Sequence, residues 1–222
     1  MVSIGIMGNG PTHLLPDLSL YKDEIDMWIG ADRGALRLIN KEIEVEYAVG
    51  DFDSINESEN EVIKNATKHY VQYPIEKDQT DLEISLEKAY ELNANKIYLF
   101  GVTGGRLDHE LVNIQLLYSI VKKDIQGIIV DKYNQLELTT PKRHQVNHNQ
   151  NYPNISFVPF TEHVKGLTLT GFYYPLVNEQ VSWGSTLCIS NKLLSNKGTF
   201  YYEEGILLLI KSRDIDSNAI PK

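Results

Sequence analysis

Short apolar runs recur along the first 130 residues of the chain, at 2–7, 26–30, 45–49, 69–73, 96–100 and 127–131. Each is the length of a strand and is bounded by polar or glycine-containing segments. Between them the spacing changes to that of helices. Asp32-Arg-Gly-Ala35 leads into Leu36, Leu38 and Ile39; residues 57–66 read as a polar helix; Leu82, Leu86, Ala89 and Tyr90 share one helical face, as do Leu111, Ile114, Leu117 and Tyr118. Strands alternating with helices at this pace predict a mostly parallel α/β/α sheet covered on both faces. Such a sheet binds ligands beyond the carboxyl ends of its strands.

After about residue 134 the helical spacing disappears. Short β-rich runs follow at 135–139, 155–158, 167–173, 186–190, 198–203 and 205–211, and Thr168-Leu-Thr170 alternates as a half-buried strand does. Tyr201-Tyr-Glu-Glu-Gly205 reads as a hairpin connection into Ile206–Ile210, and the Asn-, His- and Gln-rich stretch 142–154 as an exposed loop. The expected organisation is an α/β domain over 1–133 and an antiparallel β-sandwich domain over 134–222. His144 and His148 stand four apart, but no helix signal places them on one face, so a metal site there is not expected.

Composition narrows the function. With 222 residues and a formal net charge of −9, the chain lacks the basic surface that nucleic acids and membranes attract, so neither is an expected partner. No apolar segment approaches membrane-spanning length, and Met1-Val-Ser-Ile-Gly-Ile lacks the features of a signal peptide. The one cysteine, Cys188, lies in an apolar run and reads as a buried small residue. The expected location is the cytoplasm.

Against that acidic background the loops at the strand ends stand out. They carry Asp32; Asp51 and Asp53; Lys77, Asp78, Thr80 and Asp81; and Arg106 and Asp108. Asp51 and Asp53 flank a single residue, so in an extended segment both carboxylates point the same way and call for a cation between them. Oxygen donors without cysteine suit Mg²⁺, and Lys77 and Arg106 suit phosphate oxygens. Singly, Asp81 or Asp108 reads equally well as a helix cap, and Gly8-Asn9-Gly10-Pro11 as a turn. Gathered at one sheet edge, the loops are the equipment of phosphoryl-type transfer.

In order and spacing, Asp32-Arg-Gly-Ala, Gly50-Asp-Phe-Asp-Ser54, Asp78-Gln-Thr-Asp81 and Gly101-Val-Thr-Gly-Gly-Arg-Leu-Asp-His109 resemble the motifs of thiamine pyrophosphokinases. The resemblance is close over about 1–130 and looser beyond, through Ser190-Asn191 and the Gly205–Ile210 segment. It implies a Rossmann-like α/β domain followed by a β-sandwich. It also implies Mg²⁺-dependent transfer of pyrophosphate from ATP to thiamine, giving thiamine diphosphate and AMP, in a homodimer whose active sites lie between subunits. Carried onto this chain, Asp51, Asp53, Asp78, Asp81 and Asp108 are the metal and catalytic acids. Lys77 and Arg106 contact phosphate, Asp32 and Thr80 support the same site, and Trp183, Ser190 and Asn191 seat thiamine. Trp183 has a rival reading as sandwich core. Two positions depart from the pattern: Arg33, where a small residue is common, and Glu110, where a small polar residue is usual. A nucleotide pyrophosphohydrolase and a non-catalytic thiamine sensor are the rival functions.

Overall fold

A computed structural model describes residues 1–76 and 78–215. The chain forms two compact units, Met1–Lys132 and Tyr133–Lys222.

In the first unit, β1 (Ser3–Met7), β2 (Met27–Ala31), β3 (Val45–Gly50), β4 (Thr67–Gln72), β5 (Lys96–Phe100) and β6 (Gln126–Val130) are the strands. They lie in the order β4-β3-β2-β1-β5-β6, every neighbouring pair parallel. Four helices, α1 (Gly34–Ile39), α2 (Glu57–Ala66), α3 (Asp81–Glu91) and α4 (Leu107–Val121), connect them from β2 onward. Ala48 packs with Ala35 of α1 and Ile63 of α2, whereas the ring of its neighbour Tyr47 lies under Lys88 of α3. Consecutive strand residues point to opposite faces, so α3 covers the face that α1 and α2 leave. Strands covered on both sides cannot alternate, and β1 is buried at all five positions. One expectation changes. Leu117 and Ile120 of α4 are buried, but Leu111 and Tyr118, read as part of its inner face, are exposed.

The strand order reverses between β1 and β5, and there the two following loops part to leave a crevice. The crevice is tightly drawn. Gly10 N donates to Gly101 O at 2.6 Å, and a Cβ on Gly34 would stand 1.9 Å from the Met7 carbonyl oxygen. Only glycine lets α1 start that close to the end of β1.

The second unit holds β7 (Asn134–Thr139), β8 (His144–Asn147), β9 (Asn154–Pro159), β10 (His163–Thr170), β11 (Leu176–Ser182), β12 (Lys197–Tyr201) and β13 (Leu207–Ser212). Within this unit β7-β13-β9 and β11-β10-β12-β8 are antiparallel arrays. One cluster draws on both, including Phe157, Leu169, Phe200 and Leu207, with Phe157 edge-on to Phe172 and Phe200 at 5.4 and 4.9 Å. That is the expected sandwich core. The fold class is therefore as anticipated: a mostly parallel α/β sheet, then antiparallel β structure.

Four local readings change. Leu176–Ser182 is an edge strand with four consecutive exposed residues, so it has no alternation to read. Residues 186–190, read as a short β-rich run, form turns, tied to β9 through Phe157 N to Cys188 O at 2.9 Å. Part of the presumed 142–154 loop is β8. The expected hairpin at 201–205 is instead a crossing: β12 pairs with β10 and β8, β13 with β7 and β9. Tyr202 fastens the crossing, buried with its hydroxyl donating to the Thr139 carbonyl.

Candidate active site

The crevice opens into a cleft of about 950 Å³ whose wall is built by the loops after β1, β2, β3, β4 and β5 together with the start of α4. Among the expected site residues it gathers Asp32, Asp53, Thr80, Asp81 and Arg106.

Asp32 is the most constrained of them. It is 9 % exposed, its backbone is left-handed at φ +49°, and its Oδ2 accepts from Ser54 Oγ at 2.7 Å. Its Oδ1 is buried with no hydrogen-bond partner among the described residues. A non-glycine residue held left-handed costs about 1–3 kcal/mol, and a buried unsatisfied oxygen costs a similar amount. Both burdens fall on one residue of the cleft wall.

The loop after β3 differs from the extended pair that its spacing suggests. Phe52 between the acids is left-handed, φ +59°, and its buried ring stacks on Tyr70 at 4.6 Å. The chain turns there, so the two carboxylates part. Asp53 faces the cleft, while Asp51 Oδ1 accepts the Asp53 amide at 3.2 Å and is outside the lining.

After β4, Thr80 is the N-cap of α3. Its hydroxyl accepts from Glu83 N at 3.2 Å while Glu83 accepts from Thr80 N at 2.9 Å, a reciprocal capping box. The cap is thus Thr80, which leaves Asp81, half-buried at the first helical position, in the cleft wall near the positive end of α3. Asp78 is exposed outside the lining, and Lys77 lies outside the described residues.

After β5, Arg106 in the cleft lining forms a two-pronged ion pair at 3.1 and 2.6 Å with Asp108, which is outside the lining. The guanidinium holds the Asp108 carboxyl down to about 2. Both are exposed, so the pair is screened and open to exchange partners.

The thiamine candidates belong to the second unit. Trp183 follows β11 and is 67 % exposed, outside the sandwich core. Ser190 is exposed with a left-handed backbone, φ +57°, and its amide donates to Ser156 Oγ at 3.0 Å. Asn191 is buried. Its Oδ1 accepts from Tyr174 N and Lys192 N at 3.0 and 2.8 Å, and its Nδ2 donates to Tyr174 O at 2.8 Å.

Comparison with known proteins now bears on this geometry. Residues 18–129 match the family described as thiamin pyrophosphokinase, catalytic domain, and residues 143–207 match thiamin pyrophosphokinase, vitamin B1 binding domain. A thiamine pyrophosphokinase of Bacillus subtilis (strain 168) is 46 % identical over 214 residues, spanning 96 % of this chain and 100 % of the relative. This chain belongs to the thiamin pyrophosphokinase family. The crystal structure of the Bacillus subtilis enzyme superposes with a TM-score of 0.91 at 46 % identity, covering 96 % of this chain and 100 % of that one. That of Geobacillus thermodenitrificans thiamin pyrophosphokinase gives 0.86 at 42 %, covering 96 % and 98 %. The enzyme of Candida albicans, 16 % identical with a TM-score of 0.80 over 95 % and 90 %, shares the fold.

At this thiamin pyrophosphokinase-family cleft, Glu110 and Asn113 in the wall and Arg37 behind it had not been expected from spacing. Arg37 of α1 donates to the carbonyls of Gly10 and Asn9 and, at 2.8 Å, to Asn9 Oδ1, which pins the loop after β1. Burial lowers its guanidinium pKa. Glu110, noted only as a departure, accepts the Gly104 amide at 2.9 Å, and Asn113 donates to Val102 O at 2.8 Å. Glu110 and Asn113 stand three apart on α4, the one local signal that both face the glycine-rich loop.

The wall suits an oxygen-liganded cation. Asp32, Asp53 and Asp81 bring carboxylates, one with an orphaned buried oxygen, and the described part of the lining holds no sulfur donor. No group of three or more His, Cys, Asp or Glu among the described residues forms a ready-made metal cage. Mg²⁺ bound through one or two carboxylates plus substrate phosphates needs none.

Proposed function

We propose that this chain is a thiamine pyrophosphokinase, transferring the terminal pyrophosphate of ATP to the hydroxyl of thiamine and releasing AMP. The observation that carries the reading is 46 % identity to the Bacillus subtilis enzyme over 96 % of the chain. The thiamine oxygen forms a bond to the β-phosphorus. The bond from that phosphorus to the oxygen bridging toward the α-phosphorus breaks, AMP leaves with the electron pair, and the hydroxyl proton passes to a base.

The cleft of the first unit would hold the triphosphate. Arg106, on the rim, would trade part of its ion pair with Asp108 for phosphate oxygens, and Lys77 would add a second cation. Asp53 or Asp81 would orient the thiamine hydroxyl and accept its proton, with Asp32 and Thr80 in the same wall. Mg²⁺, when bound, would offset phosphate charge, and Asp53 and Asp81 would hold it, backed by Asp51 and Asp78. Asp51 acts through the loop, since its carboxylate holds the Asp53 amide. In the β unit Trp183 would stack on the flat cationic thiamine, with Ser190 beside it and Asn191 fixing that loop.

The proposal extends to a homodimer with intersubunit sites, acting in the cytoplasm. Among the described residues no helix is long and apolar enough to cross a membrane. At thiamine concentrations well below the wild-type KM, mixing Asp53→Asn and Trp183→Ala protomers should give more activity than the two separate preparations together if one site draws on two chains. The deciding experiment is AMP formation from ATP and Mg²⁺ with and without thiamine, followed by mass analysis of the product. Thiamine-dependent AMP with thiamine diphosphate supports the reading; AMP released without thiamine overturns it.

A further inference from the structure

Two side chains tie the loop after β2 to the loop after β3. Ser54 Oγ donates to Asp32 Oδ2 at 2.7 Å, and the Arg33 guanidinium donates to the Ser54 carbonyl oxygen at 2.6 Å. The same guanidinium meets both oxygens of Glu59, at 3.3 and 3.1 Å. Glu59 is held in turn by the capping box at the start of α2, where it accepts the Asn56 amide at 3.2 Å. One planar fork thus makes three bonds to two elements, which a lysine ammonium on a flexible stem would not reproduce.

Both loops need such a tie. Asp32 and Phe52 are non-glycine residues held left-handed, at φ +49° and +59°. Backbone of that kind persists only where its surroundings over-determine it, and it gathers at functional sites. Arg33 directly follows the first strained residue, and the carbonyl it grips lies two residues after the second. Arg33 and Glu59 are themselves absent from the cleft lining, whereas Asp32, Asp53 and Ser54 are in it.

We propose that Arg33 and Glu59 are positioning residues for pyrophosphate transfer: they clasp the loops after β2 and β3 so that Asp32 and Asp53 stand at fixed places in one wall of the cleft. The proposal rests on the function proposed above and adds two residues that touch neither substrate. Because the clasp sets positions rather than supplying a ligand, its loss should lower turnover more than substrate binding.

The test compares Arg33→Ala, Arg33→Lys and Glu59→Gln in the full chain. Glutamine at 59 keeps the capping acceptor and loses the ion pair. Turnover, the thiamine KM, melting temperature and amide hydrogen exchange of residues 51–56 are measured. A misplacement near 1 Å costs about 100-fold, so Arg33→Ala should lower kcat by about 10- to 100-fold and Glu59→Gln by several-fold, with the thiamine KM within about 2-fold. Arg33→Lys should resemble Arg33→Ala. Exchange should quicken in 51–56 and stay unchanged in the β1 and β5 amides. A merely structural role predicts a lower melting temperature with wild-type kcat per folded molecule, and that result overturns the proposal, as does unchanged exchange in 51–56. If Arg33→Ala does not fold, Glu59→Gln decides. Wild-type protein making no thiamine-dependent AMP would sink the functional reading, while exchange would still judge the clasp.

Discussion

Asp32 and Asn191 are both polar side chains buried by more than nine-tenths, one in each unit, and their surroundings treat them oppositely. Asn191 spends its amide on the main chain of Tyr174 and Lys192, and its backbone pairs with Ile155 in both directions at 2.8 Å. Among the described residues, Asp32 keeps one oxygen unpartnered, in a strained backbone. The sandwich repeats the first pattern: Tyr202 closes on Thr139, and His144 bonds to Thr140 O at 2.8 Å while stacking on Phe200. The loop edge of the parallel sheet repeats the second, with Phe52 strained beside Asp53. Saturated polar groups hold a fold, and groups left short of partners wait for a ligand.

The contrast breaks most sharply if the cleft acids prove dispensable. Asp53→Asn and Asp81→Asn should each lower turnover by about 100-fold or more, the range for removing one charge-handling group, with melting temperatures near wild type. Steady-state AMP assays beside thermal melts read both. Next in size, Asn191→Ala should destabilise the protein by about 2–4 kcal/mol, because it strands the Tyr174 and Lys192 groups that its amide serves. A denaturant titration measures this, and a loss under 1 kcal/mol would mean that Asn191 is not the lock described here.

Asp32→Asn sharpens the comparison from the other side. Asparagine tolerates the left-handed backbone and removes a buried charge, so stability should hold or rise while turnover falls roughly tenfold. A drop in stability with full activity would reverse the roles assigned to Asp32 and Asn191. For Trp183, so exposed that little packing is lost, Trp183→Ala should leave the melting temperature unchanged. It should raise the thiamine KM about tenfold relative to the ATP KM, the worth of one stacked cation–π contact. Equal effects on both constants would count against stacking.

How much of this was legible beforehand follows the same division. Strands β1, β2, β5 and β6 are nearly unbroken buried runs between polar loops, so both their places and the edge carrying the acids could be read from pattern. Leu176–Ser182 escaped because an exposed edge strand has no buried alternate face, and the 201–205 crossing because local turn residues do not say which array the next strand joins. In the site, the four loops were readable but the aim of their side chains was not. A left-handed Phe52 separates Asp51 from Asp53, although residue spacing alone makes them alike. Arg37 sits in an ordinary helical run, Leu36-Arg37-Leu38, and its contact with Asn9 spans 28 residues that no local spacing connects.

The smallest expected effect concerns Asp108. Its pKa in the folded protein is depressed to about 2 by the Arg106 guanidinium, below the value of 3.8 for an unperturbed aspartate. A depressed carboxylate stabilises the fold above its unfolded pKa and loses that contribution as pH falls through its folded pKa. The melting-temperature gap between wild type and Asp108→Asn should therefore be full above about pH 4, shrink as the pH falls below that, and close as the pH approaches 2. Because both partners are exposed, raising the salt concentration should shrink the difference at neutral pH. A gap that survives high salt and persists at pH 2 would show that Asp108 does more for the fold than pair with Arg106. It would move the residue into the class that Asn191 represents.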